Sequence, residues 1–150
     1  MQVLLAESMA PALAEPWQHL LTLFLVLAAL LAWAWYIDRQ LSLRQLGWIL
    51  YLGAVSAWEE WVFRLAIPYY LAEEGFRLLY VVIACNVVFG LAHYFTLRWR
   101  WQWCLFAFAG GMGFSHNLHQ NAELLPVIVI HWIVTYLNTP RMPGSNSGRS

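Results

Sequence analysis

The sequence predicts an all-α fold, a polytopic membrane helix bundle of about five transmembrane helices, and three observations carry that prediction. Apolar residues fill 61% of the 150 positions and charged residues only 11%, against roughly 45–50% and about 25% in a soluble domain. Too few charges remain to cover a surface that faces water. The apolar residues also gather into runs approaching the roughly 20 residues that cross a bilayer. Aromatic residues make up 17% of the chain, with ten Trp, a content suited to membrane–water interfaces. A disordered chain is excluded by the apolar content. All basic residues are Arg, and eight of them balance eight acidic residues, which removes any electrostatic case for nucleic-acid binding. Cys85 and Cys104 both lie inside apolar runs and read as small hydrophobes, so a secreted disulfide scaffold is a poor reading.

The elements follow in order. Met1 to Trp17 forms a polar N-terminal segment with Glu7 and Glu15 and no Arg. It lacks the basic start of a signal peptide, so the first apolar run is expected to stay in the mature chain. The membrane bundle occupies 18–138. Its first span runs from about His19 to Ile37 and ends in Trp33, Trp35 and Tyr36, placed for an interfacial belt. The second reaches from about Leu46 to Leu71 and holds Glu59, Glu60 and Arg64. At that length it must tilt, or break near Gly53 or Pro68. The third covers about Leu78 to Phe95 with Asn86 and His93, and the fourth about Trp101 to Ser115, short and marked by Gly110, Gly111 and Gly113. The fifth runs from about Leu124 to Leu137 and holds His131. Residues 139–150 read as a flexible polar tail.

Charge assigns an orientation. Arg39 and Arg44 follow the first span, Arg98 and Arg100 the third, Arg141 and Arg149 the fifth; the intervening loops hold Glu73, Glu74 and Arg77, then Glu123. By the positive-inside rule the Arg loops and the C-terminus are cytoplasmic and the N-terminus is outside.

Ionisable groups inside spans are expensive, so each is a functional candidate. In Trp58-Glu59-Glu60-Trp61-Val62-Phe63-Arg64, Glu60 and Arg64 lie four apart and share a helix face, while Glu59 points off that pair. A carboxylate drawn into low dielectric is a stronger base than one in water, which is how a general base is tuned. Asn86, Phe89 and His93 recur at i, i+3 and i+7 as one stripe, and Gly90 permits close approach of a second helix. His131 and Thr135 again stand one turn apart. If three such clusters meet, a carboxylate and a His can hold and deprotonate a water, and a second His with a hydroxyl can donate to an oxyanion. Taken singly, each has a plainer reading: a packing ion pair for Glu60 with Arg64, satisfied core histidines for His93 and His131. His116 and His119, three apart, have metal-ligand spacing but read better as a solvated, loop-like helix end. The glycines around Met112 suit helix packing, since no Lys or strand makes them a phosphate loop.

At these residues the chain resembles the CPBP family, the CAAX protease and bacteriocin-processing (ABI) intramembrane endopeptidases. Glu59-Glu60-Trp61-Val62-Phe63-Arg64 matches its first motif and Phe89-Gly90-Leu91-Ala92-His93 its second. The third is His131-Trp132-Ile133-Val134-Thr135, with Thr where the family usually has Asn. The resemblance begins at about Gly47 and leaves the first span outside. It implies a glutamic intramembrane endopeptidase: Glu59 as general base, His93 orienting the water, His131 and Thr135 stabilising the oxyanion, and Glu60, Arg64, Asn86 and Phe89 supporting the site. It implies a membrane-associated protein or peptide as substrate, the lipid bilayer as surroundings, no metal or other cofactor, and a prokaryotic plasma membrane as location. The small core suggests a specialised processing protease or a homo-oligomer. Two other readings stay open on the residues alone: a non-catalytic relative with an immunity or scaffold role, and a His-ligated metal or haem protein.

Overall fold

The computed structural model describes Ala10 and residues 14–39, 41–96, 99–121 and 123–142, and every regular element among them is helical. In chain order these are α1 (Pro16–Asp38), α2 (Leu43–Glu60), a π-helical segment (Trp61–Ala66), α3 (Ile67–Glu73), α4 (Leu78–Thr96), α5 (Trp101–Asn121) and α6 (Leu124–Asn138). The second expected span is the unbroken run of α2, the π segment and α3, and the others map onto α1, α4, α5 and α6. Two helices, Pro16–Asp38 and Leu78–Phe95, are long and apolar enough to cross a membrane by length and composition. Most of the expected polar N-terminal segment (1–9 and 11–13), Arg98, Arg149 and the tail from 143 lie outside the described residues.

The chain divides into two compact units. One is built from Glu15–Ala57 together with the chain from Ile128 onward. Here α1 starts with Pro16 at its first position, where a missing N–H costs nothing, and ends at Arg39, whose left-handed backbone (φ 54°) turns its N–H onto Trp35 O at 2.7 Å. Leu20, Leu21, Phe24 and Leu25 on α1 are all more than half exposed. A contiguous apolar face of this kind marks a surface made to meet lipid or another protein. The inner side packs Leu30 and Ala34 with Trp48, Ile49, Leu52, Trp132 and Tyr136. Each buried aromatic polar atom is satisfied: Trp132 Nε1 donates to Ile49 O at 2.8 Å, Trp48 Nε1 donates to Thr139 O at 2.9 Å, and Gln45 Nε2 donates to Tyr136 Oη at 2.9 Å.

Gly53 is no break in α2. It makes room for the Trp132 indole, because a methyl there would lie 2.9 Å from Trp132 Cε2. The indole cannot withdraw without losing its bond to Ile49. Gly53→Ala should therefore destabilise this unit by about 1–3 kcal/mol, the usual cost of overpacking, read as a lower melting temperature of the purified protein.

The other unit is built on Trp58–Val127. Its first feature corrects the expectation for span two. The irregularity falls at Trp61–Ala66, where the Ile67 N–H reaches back five residues to Val62 O. Pro68 is the physical reason. It has no N–H to give Arg64 O, and its ring crowds that carbonyl, so the turn before it widens rather than breaks. Beyond it α3 packs on α4, and α4 packs most extensively on α5. Gly90 sits in that seam as expected, with Cys104 O 3.0 Å from where its Cβ would lie. Helix α5 is longer than the sequence suggested: it runs to Asn121, 21 residues, and carries His116 and His119 exposed in its last turns, as the solvated helix end that their setting suggests. The buried Leu118 gives this polar stretch an anchor on the helix's inner side. Cys85 and Cys104 are both free thiols, buried as small hydrophobes.

Candidate active site

The site residues of the second unit come from two motifs on consecutive spans. Glu60 is fully buried, and its Oε2 lies 3.3 Å from Arg64 Nε, the ion pair that the four-residue spacing predicts. Arg64 is 3% exposed and lays its guanidinium over the Phe89 ring, with Cζ 4.3 Å from the centroid. Phe63 meets the same ring edge-on at 5.5 Å. A buried cation shared between a carboxylate and an aromatic face is better compensated than one on either alone.

Phe89 also faces the other way along its helix. Its ring is 4.5 Å from that of His93, and Trp99 closes the far side of the imidazole at 4.8 Å. The Phe89 carbonyl lies 2.8 Å from His93 Nδ1. A carbonyl only accepts, so Nδ1 carries the proton and, in the neutral ring, Nε2 is the basic nitrogen. The tautomer follows from the backbone, since the acceptor is one helical turn away. One phenylalanine thus steadies both Arg64 and His93, which accounts for an aromatic four residues before the His.

Glu59 is half-buried, and a carboxylate oxygen of Glu59 lies within 4.8 Å of a His93 ring nitrogen. Two hydrogen bonds of about 2.8 Å span up to about 5.6 Å, so one water can bridge these groups. The same two side chains are also of the types that ligate a metal ion. Asn86 is fully buried and donates from Nδ2 to Val82 O at 2.9 Å and to Ser115 Oγ at 3.2 Å. Its Oδ1 and Arg64 Nη2 both lie over Gly111, where a Cβ would come within 2.7 Å of Nη2. Among the three glycines of α5, Gly111 is the one whose missing side chain the site requires; a Cβ on Gly110 or Gly113 would meet nothing within 4 Å.

His131 and Thr135 belong to the other unit, on successive turns of α6. They are 6% and 5% exposed, and Thr135 Oγ1 has no hydrogen-bond partner among the described residues. A hydroxyl buried in that state carries a desolvation cost that a passing ligand atom could relieve.

Three contributors were not singled out from sequence as site residues. Trp99 lies beyond the end of α4, so no helical periodicity links it to His93. Ser115 carries no charge to draw notice, and Gly111 could not be told from its neighbours. The only legible signal was the polar content of α5 after an apolar run.

Residues 42–137 match the family model described as type II CAAX prenyl endopeptidase Rce1-like. No curated protein and no solved structure matches the chain.

Proposed function

The chain belongs to the Rce1-like type II CAAX prenyl endopeptidase family and is a membrane-embedded protease, and from that premise we propose that Glu59 and His93 activate the water that cleaves its substrate. The supporting observation is the approach of the Glu59 carboxylate to the His93 ring within 4.8 Å, with the Nδ1 of that imidazole tied to the Phe89 carbonyl. Glu59 takes a proton from the water as its oxygen attacks the peptide carbonyl, and His93 Nε2 orients that water. Glu59 then returns the proton to the leaving amine. His131 and Thr135 donate to the oxyanion of the tetrahedral intermediate. Thr135 has a single hydroxyl donor where an amide would have two, so His131 carries most of that role. The Glu60–Arg64 pair, Asn86 and Phe89 hold the two motifs in register.

The substrate is the C-terminal region of a membrane-associated protein or peptide, presented from the cytoplasmic side of a prokaryotic plasma membrane, with the Arg loops and the C-terminus facing the cytoplasm. The test is a single turnover of a farnesylated C-terminal peptide by the purified protein in H2(18)O. One heavy oxygen should enter the new carboxyl terminus, with no trappable acyl-enzyme and full activity in the presence of a chelator. A covalent peptidyl adduct, or activity lost to the chelator and restored by a metal, would overturn the glutamate mechanism.

A further inference from the structure

The hydrogen bond from Nδ1 to Phe89 O does not by itself fix the His93 ring. Such a bond tolerates angles well short of linear, and the χ2 torsion that turns an imidazole has a broad minimum. Drift in χ2 redirects the Nε2 lone pair, the part of the ring that meets the water. Packing has to supply the remaining restraint.

Two aromatic rings supply it. Phe89 stands 4.5 Å from the imidazole at an interplanar angle of 62°, and is itself held by Phe63 at 5.5 Å and by the Arg64 guanidinium at 4.3 Å. The other ring is Trp99, 4.8 Å from the imidazole at 51°. Trp99 belongs to none of the motifs and to neither α4 nor α5. Its backbone is nevertheless tied to both helices. The Trp99 N–H donates to the carbonyl of His93 itself at 3.4 Å, and the Trp99 carbonyl accepts the thiol of Cys104 at 3.9 Å. Cys104 is buried in the first turn of α5, where its own carbonyl faces Gly90 across the helix seam. The imidazole thus meets two rings, and each of them is held in turn.

We infer that Trp99 is a positioning residue, which keeps the His93 imidazole in the orientation that turns Nε2 to the water and acts on cleavage through that ring alone. The inference rests on the reading of His93 as the residue that orients the water. A reacting group misplaced by about 1 Å can cost about 100-fold in rate. A ring freed to rock is misplaced for part of the time, so the expected loss is about 10- to 100-fold.

The full chain in dodecyl maltoside tests this in two ways. In cleavage, Trp99→Leu should lower kcat by that factor and leave KM within about twofold, because the indole touches the imidazole and not the substrate. Trp99→Phe keeps a flat ring and should restore most of the rate. In the His93→Asn background, Trp99→Leu should change the residual rate by less than about twofold, since the ring it acts through is gone. A general loss of folded enzyme would lower both backgrounds equally. Trp99→Met, which also fills the space without a flat face, serves where Trp99→Leu does not fold.

The second measurement is independent of activity. In protein labelled with 15N at its five histidines, His93→Asn identifies the His93 signals. The wild-type nitrogens should be widely separated in shift, as in a ring protonated at Nδ1 alone, and Trp99→Leu should draw them toward the average of exchanging tautomers. An unchanged His93 spectrum in Trp99→Leu, or an equal loss of rate in the two backgrounds, overturns the positioning role. Averaged His93 signals with undiminished cleavage would uphold the restraint on the ring and instead remove His93 from the activation of water.

Discussion

Glu59→Gln should reduce peptide cleavage by at least about 100-fold, up to about 10,000-fold, with the melting temperature within about 2 °C of wild type. The substitution keeps the size and polarity of the side chain but removes its ability to take a proton from water. Glu59 is half-buried, and the carboxylate paired at 3.3 Å with Arg64 is that of Glu60, so the substitution leaves this ion pair in place. His93→Ala should cost activity by a similar factor but also stability, because the ring is enclosed by Phe89 and Trp99 at 4.5 and 4.8 Å. His93→Asn separates the two effects: it fills part of the space and leaves activity low. Steady-state cleavage of a fluorogenic membrane peptide, with thermal unfolding beside it, measures both. Undiminished turnover in Glu59→Gln would remove Glu59 from the chemistry and favour a non-catalytic relative, in which the Thr135 departure would reflect relaxed constraint.

The second large effect concerns the neighbouring glutamate. Arg64→Leu removes the cation 3.3 Å from a carboxylate with no exposed surface and should destabilise the protein by about 3–5 kcal/mol. Replacing both partners, Glu60→Leu with Arg64→Leu, should recover most of that loss, because two apolar side chains avoid the buried charge altogether. Activity should not recover with stability. The pair sits one residue from Glu59, and without it the π segment loses what fixes its side chains against Phe89. A double-mutant cycle on unfolding, with cleavage measured on all four proteins, distinguishes bracing from mere solubility. Equal recovery of stability and turnover would reduce the pair to a packing device.

The parts of the site legible in the sequence were those set by spacing within one helix. Four residues separate Glu60 from Arg64, and they meet; Asn86, Phe89 and His93 share a stripe, and all three are buried. The helical class was equally plain, since composition alone leaves no other solvent. What stayed hidden depends on a neighbour or on a local change of winding. Span two has no run of alternating apolar and polar residues across Trp61–Ala66 against which a change of winding would register, so its pattern cannot report the inserted residue. The apolar run of α5 stops at about Ser115, because Ser115 to Asn121 is polar on nearly every position, with Leu118 alone marking a buried side of the helix that continues to Asn121. Trp99 reaches His93 only after the chain has turned, and sequence distance says nothing about that.

The widened turn at Trp61–Ala66 also fixes how this segment can vary in length. An ordinary α-helix that lost one residue would rotate everything downstream by about 100°. Here the same loss between Glu60 and Arg64 would let the winding tighten to a regular helix. It would place Arg64 three residues after Glu60 instead of four and shift the guanidinium that lies over the Phe89 ring. The number of residues between Glu60 and Arg64 is therefore constrained as well as their identity, and a one-residue deletion there should be more damaging than a replacement of Val62.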